Sequence, residues 1–102
     1  MVYSFNLLCM RDFKQSVLAV VAKIPKGHVL SYKEIAKRAG NSGAARAVGN
    51  IMKQNRNPKV PCHRVIHSDG RIGGFNRGKE FKAVLLREEG VKLSHRLKVL
   101  RS

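Results

Sequence analysis

Two groups of residues in this 102-residue chain have the types and spacing to do chemistry: a thiol beside an imidazole, and a row of polar side chains on one helical face. The thiol is Cys62, followed by His63. Three readings compete for it. A buried, inert thiol is the usual fate of an isolated cysteine. A metal ligand needs company, and there is no Cys-x-x-Cys partner, while His63 and His67 alone make a poor set. A nucleophile needs help to become the thiolate, which His63 and a surplus of cations can give. Neighbouring side chains in an extended segment point to opposite sides, so His63 is expected to act on Cys62 indirectly.

The second group is Arg46, Asn50 and Lys53, spaced i, i+4 and i+7, which puts them on one face of a helix predicted at about 43–54. Ala44, Ala45, Val48, Ile51 and Met52 fall on the other side, and Gly49 leaves room for close approach. A narrow basic face of this kind fits a DNA groove. A solvated surface fits it equally well.

The elements that must carry these residues follow from patterning. A first helix is expected from about Asp12, capped by that residue with Gln15 three positions on; Phe13, Val17, Val20, Val21 and Ile24 form its buried stripe. Pro25 and Gly27 end it, and Val29 and Leu30 read as extended. Ser31 with Glu34 is a capping box opening a short helix that stops at Gly40, and Asn41 or Ser42 is expected to cap the next. Two short helices across a tight glycine turn are the mark of a helix-turn-helix. Residues 55–61 are loop, Val65 and Ile66 are extended, Ser68-Asp69-Gly70 is a turn, and 73–78 is a glycine-rich loop. A fourth helix at about 79–89 is expected to bury Phe81, Val84 and Leu85, with Gly90 closing it. The fold class is mainly α: a small helix-turn-helix, winged-helix-like domain with short strands. Residues 1–102 read as one domain, with 1–11 a short extension and 91–102 a basic tail with partial disorder.

Composition narrows the partners. Lysine and arginine number 21 against 6 acidic residues, a net charge of +15, which attracts polyanions at long range. Nucleic acid leads over an anionic membrane or an acidic protein. No apolar run approaches the ~20 residues that span a bilayer. Cys9 and Cys62 allow one disulfide at most, which points to a reducing, cytoplasmic setting.

The stretch Pro61-Cys62-His63-Arg64-Val65 resembles the active-site signature of the O6-alkylguanine-DNA alkyltransferases. Ser31-Tyr32, Ala45-Arg46-Ala47-Val48-Gly49, Asn55, the glycine-rich loop and Glu89-Gly90 appear in that family's order, so the resemblance runs from about Phe13 to Gly90. It implies a monomeric, single-turnover enzyme, a methylated-DNA–protein-cysteine methyltransferase. Such a protein repairs double-stranded DNA by moving an alkyl group from O6-alkylguanine irreversibly onto its own Cys62, without metal or cofactor. It implies His63 as a relay through a water, Glu89 as the anion behind it, and Tyr32 assisting departure of the guanine. It also implies Arg46 as the finger that fills the gap left by a flipped nucleotide, from a helix lying in the minor groove with Asn50 and Lys53 beside it. Asn55 becomes the hinge between that helix and the cysteine loop. Val65, Asn76, Phe75 and Gly73 become the base pocket, while Met52 is expected either to pack behind Tyr32 or Cys62 at that pocket or simply to fill the core.

Family members generally carry a further N-terminal domain, some with a structural zinc whose ligands this sequence lacks. The short length also resembles the alkyltransferase-like proteins, which bind alkylated guanine and recruit excision repair without transfer; those have tryptophan or alanine where this chain has Cys62. A helix-turn-helix transcription factor would explain the charge and Arg46 but not Cys62, His63 and Glu89 together.

Overall fold

A computed structural model of the protein describes residues 13–73 and 78–100. Asp12 and Cys9, and with them the first helix cap and the N-terminal extension, lie outside the described residues, as do Gly74, Phe75 and Asn76 of the glycine-rich loop.

Residues 13–22 are helical (α1), with Val17 and Val21 fully buried and Ile24 nearly so just beyond. Strand β1 (Leu30–Ser31) follows and runs straight into α2 (Tyr32–Arg38). The junction is the capping box: Ser31 Oγ accepts from Glu34 N at 3.0 Å, and Glu34 Oε1 accepts from Ser31 N at 3.1 Å. Gly40, at φ +101°, turns the chain towards α3 (Ala45–Gln54). This helix starts two residues later than the sequence suggests, and its N-cap is Ala44, without a side-chain bond. Asn41 Oδ1 instead accepts from Gly43 N at 3.2 Å, spending its capping capacity on the turn.

After the loop come a 3-10 turn (Cys62–Arg64), strand β2 (Val65–Ile66) and α4 (Lys79–Glu88). β1 and β2 pair in parallel, Leu30 opposite Val65 and Ser31 opposite Ile66. Two apolar clusters result. One joins α1, α2 and α3 through Val17, Val21, Ile35, Ala36, Val48 and Met52. The other gathers Ile66, Ile72, Ala83, Leu86 and Val91.

Two expectations are corrected. Helix α4 buries Lys82 (1% exposed), Ala83 and Leu86, while Phe81 (39%) and Val84 (48%) face outwards and Leu85 is half-buried. Its apolar pattern is misleading because the core-facing position belongs to a lysine whose Nζ donates to Val65 O at 2.6 Å. Residues 91–100, expected as a tail, form a short hairpin: Leu93 bridges Val99, Lys98 bridges Arg71, and Val99 N donates to Gly70 O at 2.8 Å. Val91, Leu93, Leu97 and Val99 pack on the second cluster, and that burial holds the hairpin down. The architecture is mainly α with short strands. None of the described helices is long and apolar enough to cross a membrane.

Candidate active site

Cys62 opens the 3-10 turn, half-buried against the first cluster, with a free thiol. The turn is closed by Arg64 N donating to Pro61 O at 3.0 Å and Val65 N donating to Cys62 O. Cys62 and His63 thus lie in a helical turn and not in the extended segment expected, which splays them around the turn rather than onto opposite faces.

His63 and Arg64 both converge on Glu89. His63 Nε2 lies 3.0 Å from Glu89 Oε2. Arg64 donates from Nε to Oε1 at 2.9 Å and from NH2 to Oε2 at 2.6 Å, and its NH1 donates to Ile24 O at 2.6 Å. All three side chains are at most 14% exposed. In the sequence Arg64 stands only as a member of the cysteine signature, with no role of its own. Its signal was position, two residues past the thiol and within one turn of His63. The bidentate fork and the His63 bond hold the Glu89 carboxyl well below the usual carboxylate range, at about 2. An anion so fixed orients the imidazole, leaves Nδ1 for other partners and stabilises the imidazolium. A cost of placing Glu89 at a helix C-terminus is thereby offset.

Lys82 is the second residue the sequence did not reveal. Burial pulls its ammonium down to about 8, opposed by charge on Cys62. Its bond to Val65 O fixes the strand leaving the cysteine turn.

Tyr32, the first residue of α2, packs on the first cluster between two neighbours. A Cβ added to Gly49 of α3 would lie 4.0 Å from its ring, and the His67 ring centroid is 5.2 Å away at 54°. Burial, and then charge on Cys62, push its phenol above the ordinary value, which keeps it a proton donor. His67 in turn lies over Gly73 (φ +73°), where a Cβ would come within 2.8 Å of His67 Nε2. Met52 is buried in the cluster on which both Tyr32 and Cys62 pack.

Arg46, Asn50 and Lys53 share the exposed face of α3, whose opposite face carries buried Val48 and Met52. Asn55 caps that helix. Its Nδ2 donates to Asn57 O at 3.3 Å and to Val60 O at 3.4 Å, and Val60 O also accepts from Cys62 N at 2.8 Å. One amide therefore links the end of α3 to the residue that anchors the thiol. Phe75 and Asn76 lie outside the described residues; of the other expected pocket residues, Val65 and Met52 are buried in the first cluster and Gly73 is half-buried beneath His67.

Residues 12–91 match the family model of the 6-O-methylguanine DNA methyltransferase DNA-binding domain. The chain belongs to this family. A methylated-DNA–protein-cysteine methyltransferase of Methanothermobacter thermautotrophicus is 46% identical over 83 residues, 80% of this chain and 46% of that protein. The chain spans about half the length of the curated methyltransferases it matches. Among solved structures, S. pombe Atl1 in complex with damaged DNA containing O6-carboxymethylguanine superposes with a TM-score of 0.76 at 36% identity, covering 87% of this chain and 86% of Atl1. Mycobacterium tuberculosis OGT in complex with DNA gives 0.73 at 44% identity, covering 78% of this chain and 49% of OGT. Within the methyltransferase family fold, the free thiol of Cys62 adjoins the His63–Glu89–Arg64 cluster in sequence and acts electrostatically on Tyr32.

Proposed function

We propose that this protein repairs DNA by taking the alkyl group of O6-alkylguanine onto Cys62 Sγ. The observation that carries the reading is a free, half-buried thiol one residue from an imidazole fixed on a buried carboxylate. His63 holds the proton that Cys62 gives up. The thiolate attacks the alkyl carbon in line; the S–C bond forms, the C–O6 bond breaks, and its electron pair stays on the guanine. Tyr32, kept protonated by burial, donates to the departing base. The thioether is stable, so each molecule turns over once, with no metal, methyl donor or other cofactor.

A base inside the duplex is out of reach of a thiol, so the nucleotide is flipped. Arg46 fills the gap from α3 in the minor groove, with Asn50 and Lys53 on the flanking backbone. Asn55 serves as the hinge between that helix and the cysteine loop. The base sits among Val65, Gly73, Met52, Phe75 and Asn76. Val65 O already accepts from Lys82, but a carbonyl has two lone pairs and can take a donor from the guanine as well. The protein acts as a cytoplasmic monomer.

The test is mass spectrometry after incubation with an oligonucleotide containing O6-methylguanine. One methyl mass on the Cys62 peptide supports transfer; an unchanged mass with retained binding rejects it.

A second reading has one observation in its favour: the fold superposes on Atl1 in complex with damaged DNA containing O6-carboxymethylguanine with a TM-score of 0.76. It is a non-enzymatic alkyltransferase-like protein that marks alkylated guanine for excision repair. Cys62 at the acceptor position ranks it below transfer.

A further inference from the structure

The match to the family's DNA-binding domain ends at residue 91, and the hairpin of residues 92–100 lies beyond it. Its side chains alternate cleanly. Leu93, Leu97 and Val99 turn inwards, while Lys92, His95, Arg96 and Lys98 are exposed. There is no acidic residue after Glu89. The nearest carboxylate across the Arg71–Lys98 bridge, Asp69, is engaged by Arg71 at 2.7 Å. Ser94 N donates to Lys98 O at 2.8 Å and Leu97 N to Ser94 O at 2.9 Å, so His95 and Arg96 form the tip.

The attachment of the hairpin places this charge. Arg71 bridges Lys98, and Arg71 O accepts from His67 N at 2.8 Å. The His67 ring contacts Tyr32, and Tyr32 lies against Gly49 of α3. Helix α3, the Tyr32–His67 pair and the hairpin are therefore successive neighbours.

We propose that the outer face of this hairpin, through Lys92, Arg96 and Lys98, is a second phosphate-binding surface that grips the DNA backbone beside the flipped nucleotide. The inference rests on the proposed function only in needing DNA as the partner, not in needing alkyl transfer. The one carboxylate whose charge Lys98 feels, Asp69, is already paired with Arg71; the remaining hairpin cations repel one another, and a polyanion relieves that repulsion. Phosphate contacts carry no sequence information, so the hairpin adds affinity without adding lesion specificity.

The experiment is a salt titration of duplex binding by the full chain and by a Lys92→Gln/Arg96→Gln/Lys98→Gln variant, on damaged and undamaged DNA. Each lost phosphate contact makes the slope of log K against log salt shallower by about 0.9. The triple variant should lose about 2 to 3 of slope, weaken on both duplexes by the same factor, and react at an unchanged rate with free O6-methylguanine base. A slope equal to the wild type's overturns the proposal, as does weakening confined to the damaged duplex. If the triple variant fails to fold, Lys98→Gln and Arg96→Gln singly should each cost about 0.9 of slope, and no change in either overturns it equally. A wild type that binds with the expected slope but leaves Cys62 unmodified rejects the transfer reading and leaves this one standing. A wild type that binds no duplex overturns both.

Discussion

The Arg64 guanidinium meets the Glu89 carboxylate with two parallel hydrogen bonds, 2.9 Å and 2.6 Å, while a third arm reaches the carbonyl of Ile24 at the end of the first helix. One side chain thus ties together α1, the cysteine turn and the end of α4. Its planar fork does this where a lysine could not.

Replacing Arg64 with Met should therefore cost about 2–3 kcal/mol of stability, because it strands a largely buried carboxylate. Lysine at this position should recover less than half. Urea unfolding at pH 7 measures both. Glu89→Gln should slow methyl transfer by more than about tenfold, exceeding the effect of Arg64→Met, since only Glu89 touches the imidazole.

The same carboxylate predicts an acid limit. Its folded pKa is about 2, below the unfolded value of roughly 4.3, so the folded state gains from the ionised form. That contribution, about 2–3 kcal/mol, is complete above about pH 5 and lost as pH falls towards 2. Unfolding free energies between pH 5 and 2 should fall steeply for the wild type and more gently for Glu89→Gln. Parallel curves would contradict the assignment.

Lys82 predicts a slope of the same sign at the alkaline end. Its folded pKa is about 8, below the unfolded value of roughly 10.4, so between these the unfolded chain holds a proton that the folded one has released. Stability from this group rises with pH across that window, by up to about 3 kcal/mol. The difference in stability between the wild type and Lys82→Met, followed by thermal melts from pH 7.5 to 10.5, should move in favour of the wild type by that order. A constant difference would place the ammonium in water.

Gly73→Ala should destabilise by about 1–2 kcal/mol, since the residue has a positive φ and its Cβ would meet the His67 ring. Displacing that ring from Tyr32 should also slow transfer. Adding His67→Ala to Gly73→Ala should relieve the clash and recover part of the stability, read in the same melts.

Much of this molecule is legible in its residues. The Ser31–Glu34 box, the α1 stripe and the polar face of α3 follow from local rules, because each depends on side chains within one or two turns of one another. The misses are long-range. Lys82 sits in the core because a carbonyl 17 residues away satisfies it, and Arg64 matters because of a carboxylate 25 residues on. Neither pairing leaves a periodic trace. The hairpin does leave one, apolar residues at 91, 93, 97 and 99, but the charges between them mask it.

The two-residue parallel ladder has a consequence for how the molecule comes into being. Leu30 and Ser31 can find Val65 and Ile66 only after more than thirty intervening residues exist, and Glu89 joins later still. On a translating ribosome, the sulfur therefore spends the early life of the polypeptide without its anion, its imidazole clamp or its lysine. Nascent chains should accordingly be poor acceptors, and competence should switch on late, with the final helix rather than gradually with length.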